Sequence, residues 1–177
     1  KACQIIHDGY YTRYNQVITI QLADGTYTEA VELLAVSGDG IILIRGNSGN
    51  PANVLVTFGG GQTVLSFAMP CRYRLEHFTI TNTSAGTVAS VLSRQKAYVE
   101  IGDGMIFGDN TSSTSDHIIA TDTGIVNIVG DYSIDGDCRY HYHAHYMGLI
   151  KANGITGTVT SSCSMTRFAR AVVQGII

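Results

Sequence analysis

Residues 17–22 read Val17-Ile18-Thr19-Ile20-Gln21-Leu22, and 24 positions on residues 41–45 read Ile41-Ile42-Leu43-Ile44-Arg45. In a strand, Ile18 and Ile20 share one face, as do Ile42 and Ile44. The same apolar pairing recurs as Phe78/Ile80, Val99/Ile101, Val126/Ile128, Ile150/Ala152 and Ala171/Val173, at steps of 21, 27, 24 and 21 positions. Units of about 21–27 residues, each holding two or three short strands cut by Gly or Asn corners, have the coil length of a right-handed single-stranded parallel β-helix. A β-sandwich or jelly roll is the alternative. It would use two-residue hairpin loops, which Asp24-Gly25, Asp39-Gly40, Asp103-Gly104 and Asp135-Gly136 could supply.

Composition agrees with an all-β chain. Ile, Val and Thr fill 51 of 177 positions and Gly another 20, which suits pleated surfaces and tight corners. The length allows one domain with its own core. Charged residues are 14 %, against about a quarter in an average soluble domain. With a net charge of −3 and no basic stripe, the chain is not expected to bind nucleic acid. No apolar run approaches the ~20 residues of a membrane span, so no membrane insertion is expected, and Lys1 opens no signal peptide. Lacking Met at position 1, the sequence reads as a processed product or an internal fragment. Cys3, Cys71, Cys138 and Cys163 form no CxxC pair and are expected as buried, reduced thiols, as suits assembly in a reducing cytoplasm. No cofactor is expected.

Two segments follow from this reading. In residues 1–16, Ala2/Cys3, Ile6 and Tyr10 recur at helical spacing, which predicts a short amphipathic helix capping the open end of the stack. Residues 17–177 are the β-helix. They end on the apolar Val172-Val173-Gln174-Gly175-Ile176-Ile177, so either more chain follows or another subunit covers that end. Few charges then imply outer faces packed on sister subunits.

The stretch from Ile18 to Leu33, with Asp24-Gly25-Thr26-Tyr27-Thr28-Glu29 at its centre, resembles the first coil of pectin-esterase-like and pectate-lyase-like β-helices. The esterase chemistry does not carry over. Gly104-Met105-Ile106-Phe107-Gly108 has Met105 where that family places an Asp, and its Arg-Pro-Trp signature cannot occur without Trp. A resemblance spanning the whole length is to the β-helix proteins of tailed bacteriophages and prophages, tail-spike and tail-fibre-like. It rests on residues 19–28, on Ile44-Arg45-Gly46-Asn47 through Val54, on residues 130–145, and on Ile155-Thr156-Gly157-Thr158-Val159-Thr160. The resemblance implies a virion protein, assembled in the host cytoplasm and exposed on the particle. Its partners would be two sister chains in a homotrimer, other tail proteins, and bacterial surface polysaccharide.

Three groups are candidate sites. Polysaccharide hydrolysis needs two carboxylates about 5–9.5 Å apart. Glu76 and Glu100 lie 24 positions apart, so one coil would stack them about 4.8 Å apart, with Asp103 on the following loop. Asp109, Asp116, Asp131, Asp135 and Asp137 read as loop carboxylates in Asx turns. The second group, His141, His143 and His145, alternates with Tyr140, Tyr142 and Tyr146. Such a strand would turn three imidazoles to one side, either as a metal site around a threefold axis or as an exposed polar face. The three tyrosines, the third group, would back it as glycan or subunit contacts. Arg72, Arg74, Arg94 and Lys96 are placed to pair with Glu76 and Glu100 across coils. The functional expectation is a rigid, non-catalytic tail-spike or fibre module. The alternatives are a depolymerase spike domain (a glycoside hydrolase or lyase) and a stand-alone carbohydrate-binding module.

Overall fold

The alternating runs form strands that never pair with their chain neighbours, only with strands one coil away. The computed structural model describes residues 16–33, 40–68, 70, 72–111, 114–152, 155–159 and 165–171. Three strands make a coil. The first coil holds β1 (Val17–Gln21), β2 (Gly25–Tyr27) and β3 (Val31–Leu33), and the second β4 (Ile41–Arg45), β5 (Val54–Phe58) and β6 (Leu65–Phe67). The third holds β7 (Arg72–Glu76), β8 (Thr79–Asn82) and β9 (Ala89–Ser93), and the fourth β10 (Tyr98–Ile101), β11 (Met105–Phe107) and β12 (Asp116–Ala120). The fifth holds β13 (Ile125–Ile128), β14 (Tyr132–Ile134) and β15 (Cys138–Ala144), and the last β16 (Leu149–Ala152), β17 (Gly157–Val159) and β18 (Met165–Ala171). Stacking the coils gives three six-stranded sheets, every ladder parallel. This is a parallel β-helix, with a single 3-10 turn at Pro51–Asn53 among the described residues. The expected capping helix falls on residues 1–16, of which only Gln16 is described.

Register locates the core. Ile18, Ile42, Tyr73, Val99, Val126 and Ile150 stack in one column of the first sheet. Tyr27, Val56, Ile80, Phe107, Ile134 and Val159 stack in the second. In the third, Leu65, Val91 and Ile118 lead to Tyr142. These columns meet in one continuous cluster, because no coil can bury its apolar face without the next. At the first coil the core opens into a cavity of about 320 Å³ between Ile20, Tyr27, Leu33 and Phe78.

Coil length varies more than the apolar spacing implies. Val17, Ile41, Arg72, Tyr98, Ile125 and Leu149 are successive partners, and the steps between them are unequal. Arg45 pairs with Glu76 across 31 residues, whereas Arg74 meets Glu100 across 26 residues. The longer of these coils carries the Pro51–Asn53 turn. Two of the sequence spacings joined different sheets. Val99 and Ile101 lie on Tyr73 and Leu75, whereas Ile80 lies between Val56 and Phe107. Ala171 lies on Ala144, not on Ala152. Every sheet contributes such pairs, so spacing alone does not say which face repeats. The expected single strand from Leu75 to Thr81 breaks at His77, whose φ of 58° turns the corner.

Two corners are built differently. Between β8 and β9, Asn82 is wholly buried and serves as a backbone substitute. Its amide donates to the carbonyls of Gln62 (3.1 Å) and Ala89 (2.7 Å), and its Oδ1 accepts the Ser84 N–H at 2.9 Å. Asn110 repeats this one coil on, donating to the Asp116 carbonyl at 2.8 Å and accepting from the Asn82 N–H at 3.0 Å. Asn82→Ala leaves the buried Ser84 N–H without its acceptor, whereas the Ala89 carbonyl keeps the Val64 N–H and the Gln62 carbonyl keeps the Ser84 hydroxyl, and it is expected to lower unfolding free energy by about 1–3 kcal/mol in urea titration. A loss below about 0.5 kcal/mol would show that water replaces the amide.

The corners leading into β10, β13 and β16 are tight turns closed by Ala97 N–H to Arg94 O (3.0 Å), Gly124 N–H to Thr121 O (2.8 Å) and Gly148 N–H to His145 O (2.9 Å). Their central pairs all lie in the left-handed region: Gln95 and Lys96 (φ 52° and 68°), Asp122 and Thr123 (48° and 65°), Tyr146 and Met147 (47° and 64°). Such turns favour Asn-Gly, and each left-handed non-glycine residue costs about 1 kcal/mol. A Cβ on Gly124 would stand 2.3 Å from the Ser93 carbonyl, and one on Gly148 2.1 Å from that of Ala120, so the turns stack directly on the coils beneath.

Candidate functional site

The densest group of titratable side chains lies where β12 meets β15. Asp116 opens β12, and β15 passes over it one coil later. Although the sequence reading put Asp116 on a loop, its carboxylate is wholly buried in a strand. Arg139 forks onto it, Nε to Oδ1 at 2.9 Å and Nη2 to Oδ2 at 2.8 Å. Oδ1 also accepts the Tyr140 N–H at 3.2 Å, and Oδ2 accepts from His143 Nδ1 at 2.8 Å. A carboxylate only accepts, so His143 carries a proton on Nδ1. Arg139 also lies over the Tyr140 ring, 5.0 Å from its centroid. Bonding to Asp116 raises the Arg139 pKa, against the smaller opposing effect of burial.

Beside this anchor stands a pair of buried imidazoles. His117 Nε2 lies 3.1 Å from the Gly108 carbonyl, which can only accept, so that nitrogen carries the proton of the neutral ring. His117 Nδ1 therefore accepts, and His141 Nδ1, 3.0 Å away, donates to it. Both tautomers follow from one carbonyl. Burial lowers the His117 pKa to about 4, against weaker opposing effects of the Gly108 bond and nearby aspartates. It drives His141 well below the ordinary value too, and His117 adds to that. Phe107 meets His141 edge-on at 5.1 Å, and Tyr132 stacks on it at 5.2 Å. The Tyr132 and Tyr142 hydroxyls bond to each other, and burial raises both phenol pKa values.

The expectation of three imidazoles on one side with tyrosines behind them is thus corrected. His141 packs among core aromatics, His143 sits on Asp116, and His145 packs on His143 at 4.7 Å. Regular pairing of β15 with β12 runs from Ile118–Tyr142 onward, and simple alternation does not describe the first half of β15. Tyr140 and Tyr142 are buried, whereas Tyr146 is exposed. Among the described residues, no three His, Cys, Asp or Glu side chains converge as a metal-binding group. The Asp116–His143 pair has the form of an oriented base, but Arg139 neutralises the carboxylate. Among the described residues no hydroxyl or thiol is bonded to His143.

The structure sets the expected carboxylate pair in adjacent columns, joined by the Arg74 guanidinium. Glu100 faces Arg74, and Glu76 faces Arg45, so the two glutamates occupy different columns. Arg45 holds Glu76 at 2.7 Å, and Arg74 reaches Glu100 at 2.6 Å and Glu76 at 3.8 Å. Arg72 adds a contact to Glu100 at 3.4 Å. The expected cross-coil ladder is present for Arg72 and Arg74, whereas Arg94 pairs with Glu32. Asp103 is exposed at a corner, where its Oδ1 accepts the Asp131 N–H at 3.0 Å. Asp131 accepts the Thr156 N–H at 2.9 Å, and Asp109 that of Asp137 at 2.8 Å. These corner carboxylates accept from the coil above, whereas local Asx turns were expected. Cys138 is buried, as expected, and the other three cysteines lie outside the described residues.

Sequence reasoning missed Asp116 and His117 as a site, although a signal existed. Asp116-His117 precedes Tyr140-His141 by 24 residues, the step that also separates Ile18 from Ile42. The fold defines the class of protein: an all-β parallel β-helix. No protein-family model matches the chain, and neither a curated protein nor a solved structure shows significant similarity to it.

Proposed function

We propose that this β-helix is a structural module of a tailed-phage tail spike or fibre. In this reading three chains form a rigid rod in the virion that supports attachment to bacterial surface polysaccharide. The observation that carries it is the outer face of the first sheet. Most of its charges are paired within the chain, Arg45, Arg74 and Arg72 on Glu76 and Glu100, while Lys151 stands exposed on the last strand. Beside them runs a register column of Val17, Ile41, Arg72, Tyr98, Ile125 and Leu149. Its one cation, Arg72, lies over the Tyr98 ring at 5.3 Å. A face whose glutamates are already paired can be desolvated at lower cost than one of unpaired carboxylates, which favours packing on sister chains. The mechanism is geometric: stacked coils keep their length under load, and other tail proteins hold the rod's base.

Sedimentation analysis tests the assembly. The expected species has three times the 19.0 kDa chain mass, and Ile125→Lys with Leu149→Lys should shift it towards monomer. A single 19.0 kDa species at micromolar concentration would overturn the reading. Since both glutamates serve as ladder partners, Glu76→Gln and Glu100→Gln are expected to leave any polysaccharide-shortening activity unchanged. Each should cost up to about 1 kcal/mol of stability, as suits half-exposed arginine partners. Loss of such an activity in either variant would favour the depolymerase.

A further inference from the structure

Two buried contacts of opposite character join the fourth coil to the fifth. In one, Asp116 holds Arg139, the Tyr140 N–H and His143. In the other, His117 and His141, both wholly buried, share one proton between nitrogens 3.0 Å apart. His117 Nε2 is already committed as a donor to the Gly108 carbonyl. A second proton on His117 can land only on Nδ1, where it meets the His141 N–H head-on. A second proton on His141 puts a charge into a ring enclosed by Phe107 of β11, Tyr132 of β14 and Tyr142 of β15. The contact tolerates neither. The titratable groups facing it are Tyr132, Tyr142, Asp109, Asp116 and Asp137, with Arg139 and His143 acting on Asp116. The phenols carry no charge in acid, and the aspartates favour a charged His117 more weakly than burial opposes it.

The two sides of this junction are unequal. Before it stand four coils that bury Phe67, Tyr73, Leu75, Phe78 and Ile80. Beyond it, strands β13–β18 amount to two coils, fewer than the three or more repeats that hold a stack by themselves. The last coil is largely exposed along β16 and β17. The strained left-handed corners Asp122-Thr123 and Tyr146-Met147 lead into these two coils, so opening them also releases strain. We propose that the junction of β12 with β15 is a proton-operated joint: in mild acid β13–β18 open as one unit while the first four coils stay folded. The effector is the proton, and histidine is the side chain that answers it just below neutral pH. Opening bares the edge of the fourth coil and the side chains of Val99, Ile101, Phe107 and Ile118, which the fifth coil otherwise covers. The change is local and reversible, unlike unfolding of the whole stack.

Amide hydrogen exchange of the full chain, read by mass spectrometry at about pH 7.5 and about pH 5 and divided by the intrinsic rate at each pH, tests the joint. A histidine that takes up a proton only on opening lowers protection about tenfold per pH unit below its ordinary value. Strands β13–β15 are therefore expected to lose at least about thirtyfold in protection at pH 5, to regain it at pH 7.5, and to leave β4, β5, β7 and β8 within about threefold of their neutral values. Two variants check that the imidazoles are the cause. His117→Gln keeps a donor for Gly108 and an acceptor for His141, and His141→Phe keeps a ring beside Tyr132. Each variant that folds at neutral pH is expected to lose at least about fivefold of the acid response. Equal loss of protection in all coils of the parent protein would overturn the joint, and so would unchanged protection in acid. A full acid response in either variant would overturn the role of the imidazole pair.

Discussion

Asp116→Ala is expected to destabilise the β-helix by about 3–5 kcal/mol, the range for removing one partner of a buried ion pair. Three groups depend on that carboxylate: the Arg139 guanidinium, the Tyr140 N–H and His143 Nδ1. Arg139 retains 20 % side-chain exposure and can turn part of its charge to water, which places the loss towards the lower end. Tyr140 N–H has no such escape. Asp116→Asn keeps an acceptor for it but surrenders the ionic fork, and should fall between the parent protein and the alanine variant. Urea denaturation measures both. Because coils touch only their neighbours, amide exchange should quicken first in β12 and β15, while β1 and β4 remain protected. Uniform loosening, or a loss under about 1 kcal/mol, would show that Asp116 is not the anchor of the fourth and fifth coils.

Mild acid is expected to cost about 3 kcal/mol through His117 alone. The ring is held neutral when folded, with its pKa lowered from 6.5 to about 4. Between these values the unfolded chain binds a proton that the folded chain refuses, so protonation favours unfolding. Stability is therefore full above pH 6.5, is lost as pH falls towards 4, and then levels off as the folded ring also titrates. His141 is shifted in the same direction and steepens the loss, each histidine adding about 1.4 kcal/mol per pH unit. The groups facing this pair are Tyr132, Tyr142, Asp109, Asp116 and Asp137. The phenols stay neutral throughout. The window from pH 6.5 down to about 5 lies above the ordinary carboxylate range, so the aspartates do not explain a fall there. Urea midpoints across that window check this, and His117→Gln should flatten the slope. A level profile in the parent protein would mean that the imidazoles are hydrated, not held neutral in the core.

These two expectations mark what the linear chain could and could not disclose. Glu76 and Glu100 looked stacked in one column, but their coil is longer than the spacing between them, and they stand in adjacent columns around Arg74. Glu100 therefore meets Arg74, 26 residues before it. His117 and His141 do stand one coil apart, at 24 residues, and there the spacing was informative. Alternation would have placed His141 and His143 together, yet one lies among core aromatics and the other on a carboxylate.

The sequence by itself determined a β-rich chain of short strands whose apolar pairs recur at coil spacing, and hence a parallel β-helix. Its alternation, β-branched content and glycine corners are local properties, each readable within a few residues. Tertiary structure alone decided which face of which coil met which. Corner loops lengthen individual coils, as in the 31 residues that separate Arg45 from Glu76, and each insertion resets the register above it. Charge pairs, buried imidazoles and the row of strained corners all depend on that register. The few charges that marked the chain from the start therefore gained a location in part: an outer sheet where three arginines hold two glutamates.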